Sequence, residues 1–283
     1  MRPRQWVKNG VIFAALVFDR QLGWSHLEAT LRTTAGFIIF CLISGLVYVL
    51  NDLADVEVDR QHPDKRNRPI ASGQLPVPVA WGGAILLALI AFPISFWLSP
   101  SFGLVAVGYF ILNIAYTKWI KHIILLDVLA IALGFLLRVA AGVTLIEVSR
   151  FSPWLYIVTF LGALFLGFGK RRAELVLLAE EADSHRKVLD GYSLPLLDQY
   201  ILIISSTTII AYSLYTFSAP NLPGNHIMML TIPFVLYGIF RYIYINQAEN
   251  TGGAPEEVLY RDRPLQVTIL LWGISVLFIF YYF

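Results

Sequence analysis

The chain has 283 residues, 57% of them hydrophobic and only 14% charged, with a formal net charge of +2. Soluble domains usually carry about 25% charged residues, so the composition excludes an ordinary globular enzyme and predicts an all-α, polytopic membrane bundle, one integral domain over residues 1–283. The small net charge excludes nucleic acid as a partner, and a single cysteine, Cys41, excludes a disulfide or zinc framework.

Hydropathy taken in chain order predicts about nine transmembrane helices, over roughly 9–23, 28–52, 77–98, 101–118, 122–146, 152–170, 195–217, 226–247 and 264–282. The first is short enough for a tilted or interfacial helix. The basic opening MRPRQWVKNG is followed by an apolar run without a small-residue cleavage site, unlike a secretory signal. Pro93, Pro153 and Pro233 fall within or at the ends of spans, where freed carbonyls can find other partners. Small residues such as Gly162 and Gly169 suit helix packing within or between protomers, which leaves a homo-oligomer open.

With connections numbered alternately, one side collects Arg2, Arg4 and Lys8, then Arg60, Lys65, Arg66 and Arg68, then Lys118 and Lys121. Lys170, Arg171, Arg172, Arg186, Lys187, Arg261 and Arg263 fall on the same side, making sixteen of the 21 basic residues. The positive-inside rule makes this side cytoplasmic. All the long loops then share one face, which predicts chemistry at the cytoplasmic surface of the cell membrane.

After the second span comes NDLADVEVDRQHPDKRNRPIASG, residues 51–73. Asp52, Asp55 and Asp59 are spaced i, i+3, i+7, which places them within about 60° of one another on a continuous helix. Three carboxylates on one face repel unless a cation lies among them. An oxygen-only set suits Mg²⁺, commonly held by one or two carboxylates together with substrate phosphates. Asn51 is placed to orient a ligand or water. The bland alternative is a solvated loop with scattered acids, but ionisable groups beside a membrane core default to function. Arg60, His62, Lys65, Arg66 and Arg68 follow, and Arg60, Lys65 and Arg68 suit the phosphate oxygens that a metal leaves uncovered. His62 is assigned no role.

These residues resemble the UbiA superfamily of intramembrane transferases, whose first signature has the form N-D-x-x-D-x-x-x-D, matched by Asn51, Asp52, Asp55 and Asp59. The likeness covers the whole chain and includes the amino-terminal RPRQWVKN, which contains Lys8. It implies a helical bundle and a diphosphate substrate held through Mg²⁺ between two acid-rich motifs, the second normally D-x-x-x-D. Here the second region, YTKWIKHIILLDVLAIALGFLLR, has one acid, Asp127, and isoleucine at position 131. Together with GFGKRRAEL, carrying Lys170, Arg171, Arg172 and Glu174, and GAPEEVLYRDRPLQ, carrying Arg261, Asp262 and Arg263, this resembles the phosphoribosyl branch, the decaprenyl-phosphate phosphoribosyltransferases. The resemblance implies transfer of a 5-phosphoribosyl group from phosphoribosyl diphosphate to a polyprenyl phosphate. An aromatic prenyltransferase of the same fold is the alternative, and a transporter lined with charge is a second.

Within that frame Asp52, Asp55 and Asp59 are the expected metal ligands, and Asp55, Asp59 and Asp127 the expected catalytic carboxylates. The expected substrate contacts are Lys8, Asn51, Arg60, Lys65, Arg68, Tyr116, Lys118, Lys121, Lys170, Arg171, Arg172, Arg261 and Arg263. Two readings stay open for Lys118 and Lys121: a phosphate contact on one side of a turn, or a snorkelling pair. Consecutive bases at 170–172 cannot all face one point, so some must meet headgroups or Glu174. Arg138 lies about 16 Å along a helix from Asp127 at 1.5 Å per residue and is expected to pair inside the bundle. Asp262 is expected either to join a metal or to hold nearby arginines.

Overall fold

The computed structural model describes residues 3–61, 65–148, 152–180, 187–220, 222–248 and 255–283. Among them there is no strand. A 3₁₀ segment, Pro3–Phe13, leads into α1 (Ala14–Phe18). The helices that follow are α2 (Leu27–Ala54), α3 (Val56–Gln61), α4 (Val77–Leu98), α5 (Pro100–Lys118), α6 (Leu126–Val143) and α7 (Pro153–Glu180). The last four are α8 (Leu194–Ser218), α9 (Ile232–Gln247), α10 (Pro255–Arg261) and α11 (Arg263–Tyr282). In hydrocarbon only an element that satisfies its own backbone is tolerated, and hydroxyls in the spans obey the same rule. Thr33 donates to the Ala29 carbonyl at 2.8 Å, Ser95 to Ala91 at 2.6 Å and Thr208 to Ile204 at 2.7 Å.

Eight of these helices are long and apolar enough to cross a membrane. They coincide with the second to ninth predicted spans, with two informative shifts. The first predicted span, 9–23, is instead a shorter apolar helix, Gln5–Phe18. The predicted span 152–170 continues as α7 to Glu180, so the KRRAEL residues expected in a loop are helical. Proline obeys position: Pro153 and Pro233 sit in first turns, where no N–H is needed, whereas Pro93 lies inside α4.

The chain divides into two compact units. The first contains the described residues of 1–16, 21–118 and 137–148, and the second those of 17–20, 119–136 and 149–283. In the first unit α2 packs on α4, α5 and the Pro3–Phe13 segment. Its core is aromatic: the Phe40 ring lies 5.9 Å from Phe102 and 5.0 Å from Tyr109, geometry that adds stabilisation beyond burial. Beside this core Arg138 donates through Nε to Asn9 Oδ1 and through Nη2 to Tyr109 Oη, each at 2.8 Å, and its guanidinium lies 4.8 Å from the Tyr109 ring centre. The expected internal pairing of this arginine is thus made with an amide oxygen and a phenol. Asn9 in turn donates to Cys41 and Ser44 at 3.3 Å.

In the second unit α7 packs on α8, and α9 packs on α8 and α11. Phe165, Phe168, Tyr242, Leu197 and Ile201 centre one cluster. Tyr212, Met228, Val276 and Phe280 centre another. There Tyr212 Oη pairs with Thr231 Oγ1 and accepts from Trp272 Nε1, both at 2.7 Å, which satisfies its polar end.

One contact in the first unit depends on a missing side chain. A Cβ at Gly142 would lie 2.1 Å from the backbone oxygen of Ile12, while one at Gly162 meets nothing within 4 Å. Gly142→Ala must therefore displace backbone, at a cost of about 1–3 kcal/mol, and is expected to lower the thermal unfolding midpoint in detergent. Gly162→Ala should leave it within error of the parent.

Candidate functional site

The acid motif sits where α2 ends. Asp55 is the C-cap, with φ −100° and ψ 10°, and its N–H bonds to the Asn51 carbonyl. Helix α3 restarts at Val56, and the Asp59 N–H reaches the Asp55 carbonyl at 2.8 Å. The break changes the expected face. Among the described residues no three acidic, histidine or cysteine side chains gather into a ready metal cluster, so Asp52, Asp55 and Asp59 do not converge as three. The reason is the C-cap, which takes Asp55 off the regular helical wheel.

Two of the three do converge. Asp52 Oδ1 lies 3.1 Å and Asp59 Oδ2 2.5 Å from the same nitrogen, Nη1 of Arg68. Two carboxylates aimed at one positive centre form a cation site, and their hard oxygens suit a divalent ion that completes its shell with water and phosphate. Arg68 itself is partly buried. Arg60 is exposed and is held by Glu57 at 2.8 Å and the Ala71 carbonyl at 3.3 Å. Lys65 is exposed and Lys8 half-buried. His62 lies outside the described residues. On α5, Tyr116 is half-buried and Lys118 exposed at the helix end. Thr117 lies between them, with its hydroxyl 2.8 Å from the Asn51 side chain.

The second unit holds a different arrangement of charge. Asp127, in the first turn of α6, is fully buried. Its Oδ2 accepts from Arg171 Nε at 2.7 Å and its Oδ1 from the Tyr192 hydroxyl at 2.9 Å. Arg171, 2% exposed, also pairs with Glu174. Tyr192 accepts the N–H of Leu125 at 2.8 Å. Leu125 has φ 67°, a conformation costly for a non-glycine residue, and this bond helps hold it. Burial first, and also the Asp127 carboxylate, push the Tyr192 phenol well above its ordinary range, so it remains a donor. Asp127, expected from sequence as a catalytic carboxylate, has both oxygens hydrogen-bonded and no exposure.

Arg172 is equally engaged. It donates to Asp198 Oδ1 and to the Asn246 carbonyl, both at 2.7 Å, and that carbonyl belongs to the last turn of α9, which has no helical donor. Gln247 joins Asp198 at 3.0 Å, and Asn246 donates to the Gly169 carbonyl at 2.9 Å. Of the three consecutive bases only Lys170 is substantially exposed, at 39%. Arg171 and Arg172, expected from sequence as substrate contacts, have the fixed acceptors inside the fold that buried guanidiniums need. Helix α5 stops at Lys118, and Lys121 sits in a separate 3₁₀ turn, Ile120–His122, so the two lysines do not share a helical turn. Arg261 and Arg263 are exposed. Asp262 between them caps α11 through the Leu265 N–H at 2.8 Å and accepts from Arg241 at 2.7 Å, a partner the sequence did not indicate.

Asp127→Leu removes the carboxylate that Arg171 Nε meets, and breaking a buried pair in this way costs about 3–5 kcal/mol. A large fall in the thermal midpoint is expected, with part of it recovered in Asp127→Leu/Arg171→Leu. The Arg241 hydrogen bonds hold the Asp262 carboxyl below the usual range. A depressed pKa means stabilisation present at neutral pH and lost as pH falls through the folded-state value. Asp262→Asn should therefore melt below the parent at neutral pH, and the gap should close as pH drops below about 4.

Residues 11–258 match the model of the UbiA prenyltransferase family. A decaprenyl-phosphate phosphoribosyltransferase of Mycolicibacterium smegmatis is 34% identical over 96% of this chain and 88% of its own length. Another, of Mycobacterium tuberculosis, is 32% identical over 98% of this chain and 91% of its own length. A solved UbiA homolog from Archaeoglobus fulgidus, bound to DMAPP and Mg²⁺, superposes with a TM-score of 0.73 over 100% of this chain and 98% of that one, at 18% identity, which establishes a shared fold. The chain is an integral, multi-pass membrane member of the UbiA prenyltransferase family.

Proposed function

We propose that the chain transfers the 5-phosphoribosyl group of phosphoribosyl diphosphate to a polyprenyl phosphate, releasing diphosphate, with Mg²⁺, at the cytoplasmic face of the cell membrane. The observation that carries the reading within the family is the state of the second acid region. Its one aspartate, Asp127, has both oxygens hydrogen-bonded to an arginine and a tyrosine and no exposure, which favours a positioning role over that of a second metal ligand. The names of the nearly full-length relatives support the same branch. The concentration of Lys and Arg on one side of the predicted topology supports the cytoplasmic face.

The donor set of the first unit fits the metal, because Asp52 and Asp59 already converge on one cationic centre. Those two residues would hold Mg²⁺, with Asn51 beside them, and the ion when bound neutralises charge on the leaving diphosphate. Arg60, Lys65 and Arg68 follow in the same stretch and are assigned to phosphate oxygens that carboxylates cannot bind. Lys8, Tyr116, Lys118, Lys121, Lys170, Arg261 and Arg263 are assigned to the remaining phosphates of donor and lipid. Asp55 is assigned to the positive charge that develops at the anomeric carbon. Asp127, Arg171 and Arg172 keep a positioning role.

In the reaction the anomeric C–O bond to diphosphate breaks and a C–O bond to the lipid phosphate forms. The acceptor is already an anion at neutral pH, so no side chain must remove a proton. Displacement inverts the α donor to a β-linked product.

The test supplies purified protein with Mg²⁺, phosphoribosyl diphosphate and decaprenyl phosphate. Diphosphate release and a lipid-linked phosphoribose are expected, abolished by chelation and reduced on the order of 10²-fold or more in Asp52→Ala and Asp59→Ala. Consumption of a prenyl diphosphate with an aromatic acceptor, and no phosphoribosyl transfer, would overturn the assignment.

A further inference from the structure

The turn that leads into α6 is apolar where a loop is ordinarily polar. Trp119 is 64% exposed, and Ile123, Ile124, Leu125 and Leu126 follow as an unbroken exposed run. Such a run on a surface is a fault unless something apolar covers it. It continues onto the span: Leu126, Leu129 and Leu133, spaced i, i+3, i+7 on α6, are exposed on one face. Lipid-facing surface therefore passes without a break from the helix to the turn. Contacts on its inner side hold the turn in this pose. The Ile120–His122 turn packs on Lys187–Gly191, and a Cβ at Gly191 would collide with the Ile124 side chain. Leu125 sits at φ 67° with its N–H bonded to the Tyr192 hydroxyl at 2.8 Å. Glycine or asparagine takes that backbone at less cost, so a leucine there points to a use for its side chain.

We propose that this turn is the docking site of the lipid acceptor, with the isoprenoid chain along Trp119, Ile123 and the α6 stripe and the lipid phosphate at Lys121. The site rests on the proposed reaction, in which the acceptor is a polyprenyl phosphate, and it gives that acceptor a place of its own. Lys121 is half-buried in the same turn, two residues before Ile123. A polyprenyl phosphate joins a compact, doubly charged head directly to an apolar chain, so one lysine beside an apolar stripe matches both sides of that junction. A phospholipid presents a diester of lower charge, separated from its chains by glycerol, and matches less well. The depth agrees. The span begins at Leu126, and Trp119 and Lys121 precede it, as indoles and lysines do where apolar chains give way to phosphates.

The test uses the full chain in phosphatidylcholine nanodiscs carrying decaprenyl phosphate at increasing mole fraction. Trp119→Ser and Ile123→Ser are expected to raise the apparent KM for decaprenyl phosphate about 10-fold, the loss of one buried apolar side chain. The KM for phosphoribosyl diphosphate should stay at the parent value, and Ile123→Leu should match the parent for both substrates. A nitroxide on Ile123→Cys, the native Cys41 being buried, reads contact without turnover. Decaprenyl phosphate should immobilise the label, the same mole fraction of phosphatidylglycerol should not, and the effect should be lost when Lys121→Gln is added. Equal immobilisation by phosphatidylglycerol, persistence of the effect with Lys121→Gln, or a parent-like KM for decaprenyl phosphate in both serine variants overturns the docking site alone. Immobilisation by decaprenyl phosphate in a protein that forms no lipid-linked phosphoribose supports the site and overturns the reaction. A label that decaprenyl phosphate leaves mobile, in a protein that forms no such product, overturns both.

Discussion

A charge inside an apolar bundle must find its counter-group within the chain, because neither lipid nor packed side chains can solvate it. Each buried arginine answers that constraint and, in doing so, decides which elements meet. Arg171 ties α7 to the first turn of α6 through Asp127, and Tyr192 ties that turn to the segment before α8. Arg172 ties α7 to α8 through Asp198 and to the end of α9 through a backbone carbonyl. Arg241 ties α9 to the start of α11. With those acceptors in place α7 continues through KRRAEL, past the point where its hydropathy ends. Pairs of this kind cost desolvation and return less than their Coulomb energy suggests, so their main yield is uniqueness of arrangement.

The same physics separates two kinds of aspartate. Asp127 has one donor on each oxygen and lies wholly inside the second unit. Asp52 and Asp59 converge on a single donor nitrogen in the first unit. Asp127 is spread over two donors that fix the elements around it, whereas the converging pair concentrates negative charge at one point, an arrangement that suits a cation. The two settings differ in geometry and not in residue type.

Hydropathy located eight spans because an apolar run of about twenty residues has few other fates. The first span misled for the same reason: fourteen residues, Gln5–Phe18, are apolar enough to look like a span and too few to cross. KRRAEL read as a loop because its charges were visible, while their partners Asp127, Asp198 and Asn246 lie 44, 26 and 74 residues away. Asp198, an acid within a predicted span, carried a readable signal of pairing. Tyr192, Asn9 and Thr117 carried none, since each matters through a neighbour 65, 129 or 66 residues distant. The spacing of the acid motif survived a helix break that no periodicity shows, because Arg68 draws Asp52 and Asp59 together across it.

Placement of that motif depends on α2, and α2 is pinned to α5 at two levels. Ser44 meets Tyr109 at 3.4 Å and Asn51 meets Thr117 at 2.8 Å. The α2 residues are seven apart, two turns or about 10 Å at 1.5 Å per residue, so they share a face. Two cross-helix bonds on one face fix both rotation and depth, where a single bond would leave the helix free to roll about it. The lower bond belongs to the network of Arg138 and Asn9, so the charge buried near the aromatic core helps set the angle at which α2 arrives at its end. Asp52 is the next residue after the upper bond. Its position is therefore determined by contacts made within the span, before any cation or substrate contributes, and this lets two like-charged groups, Asp52 and Asp59, be held ready at one point.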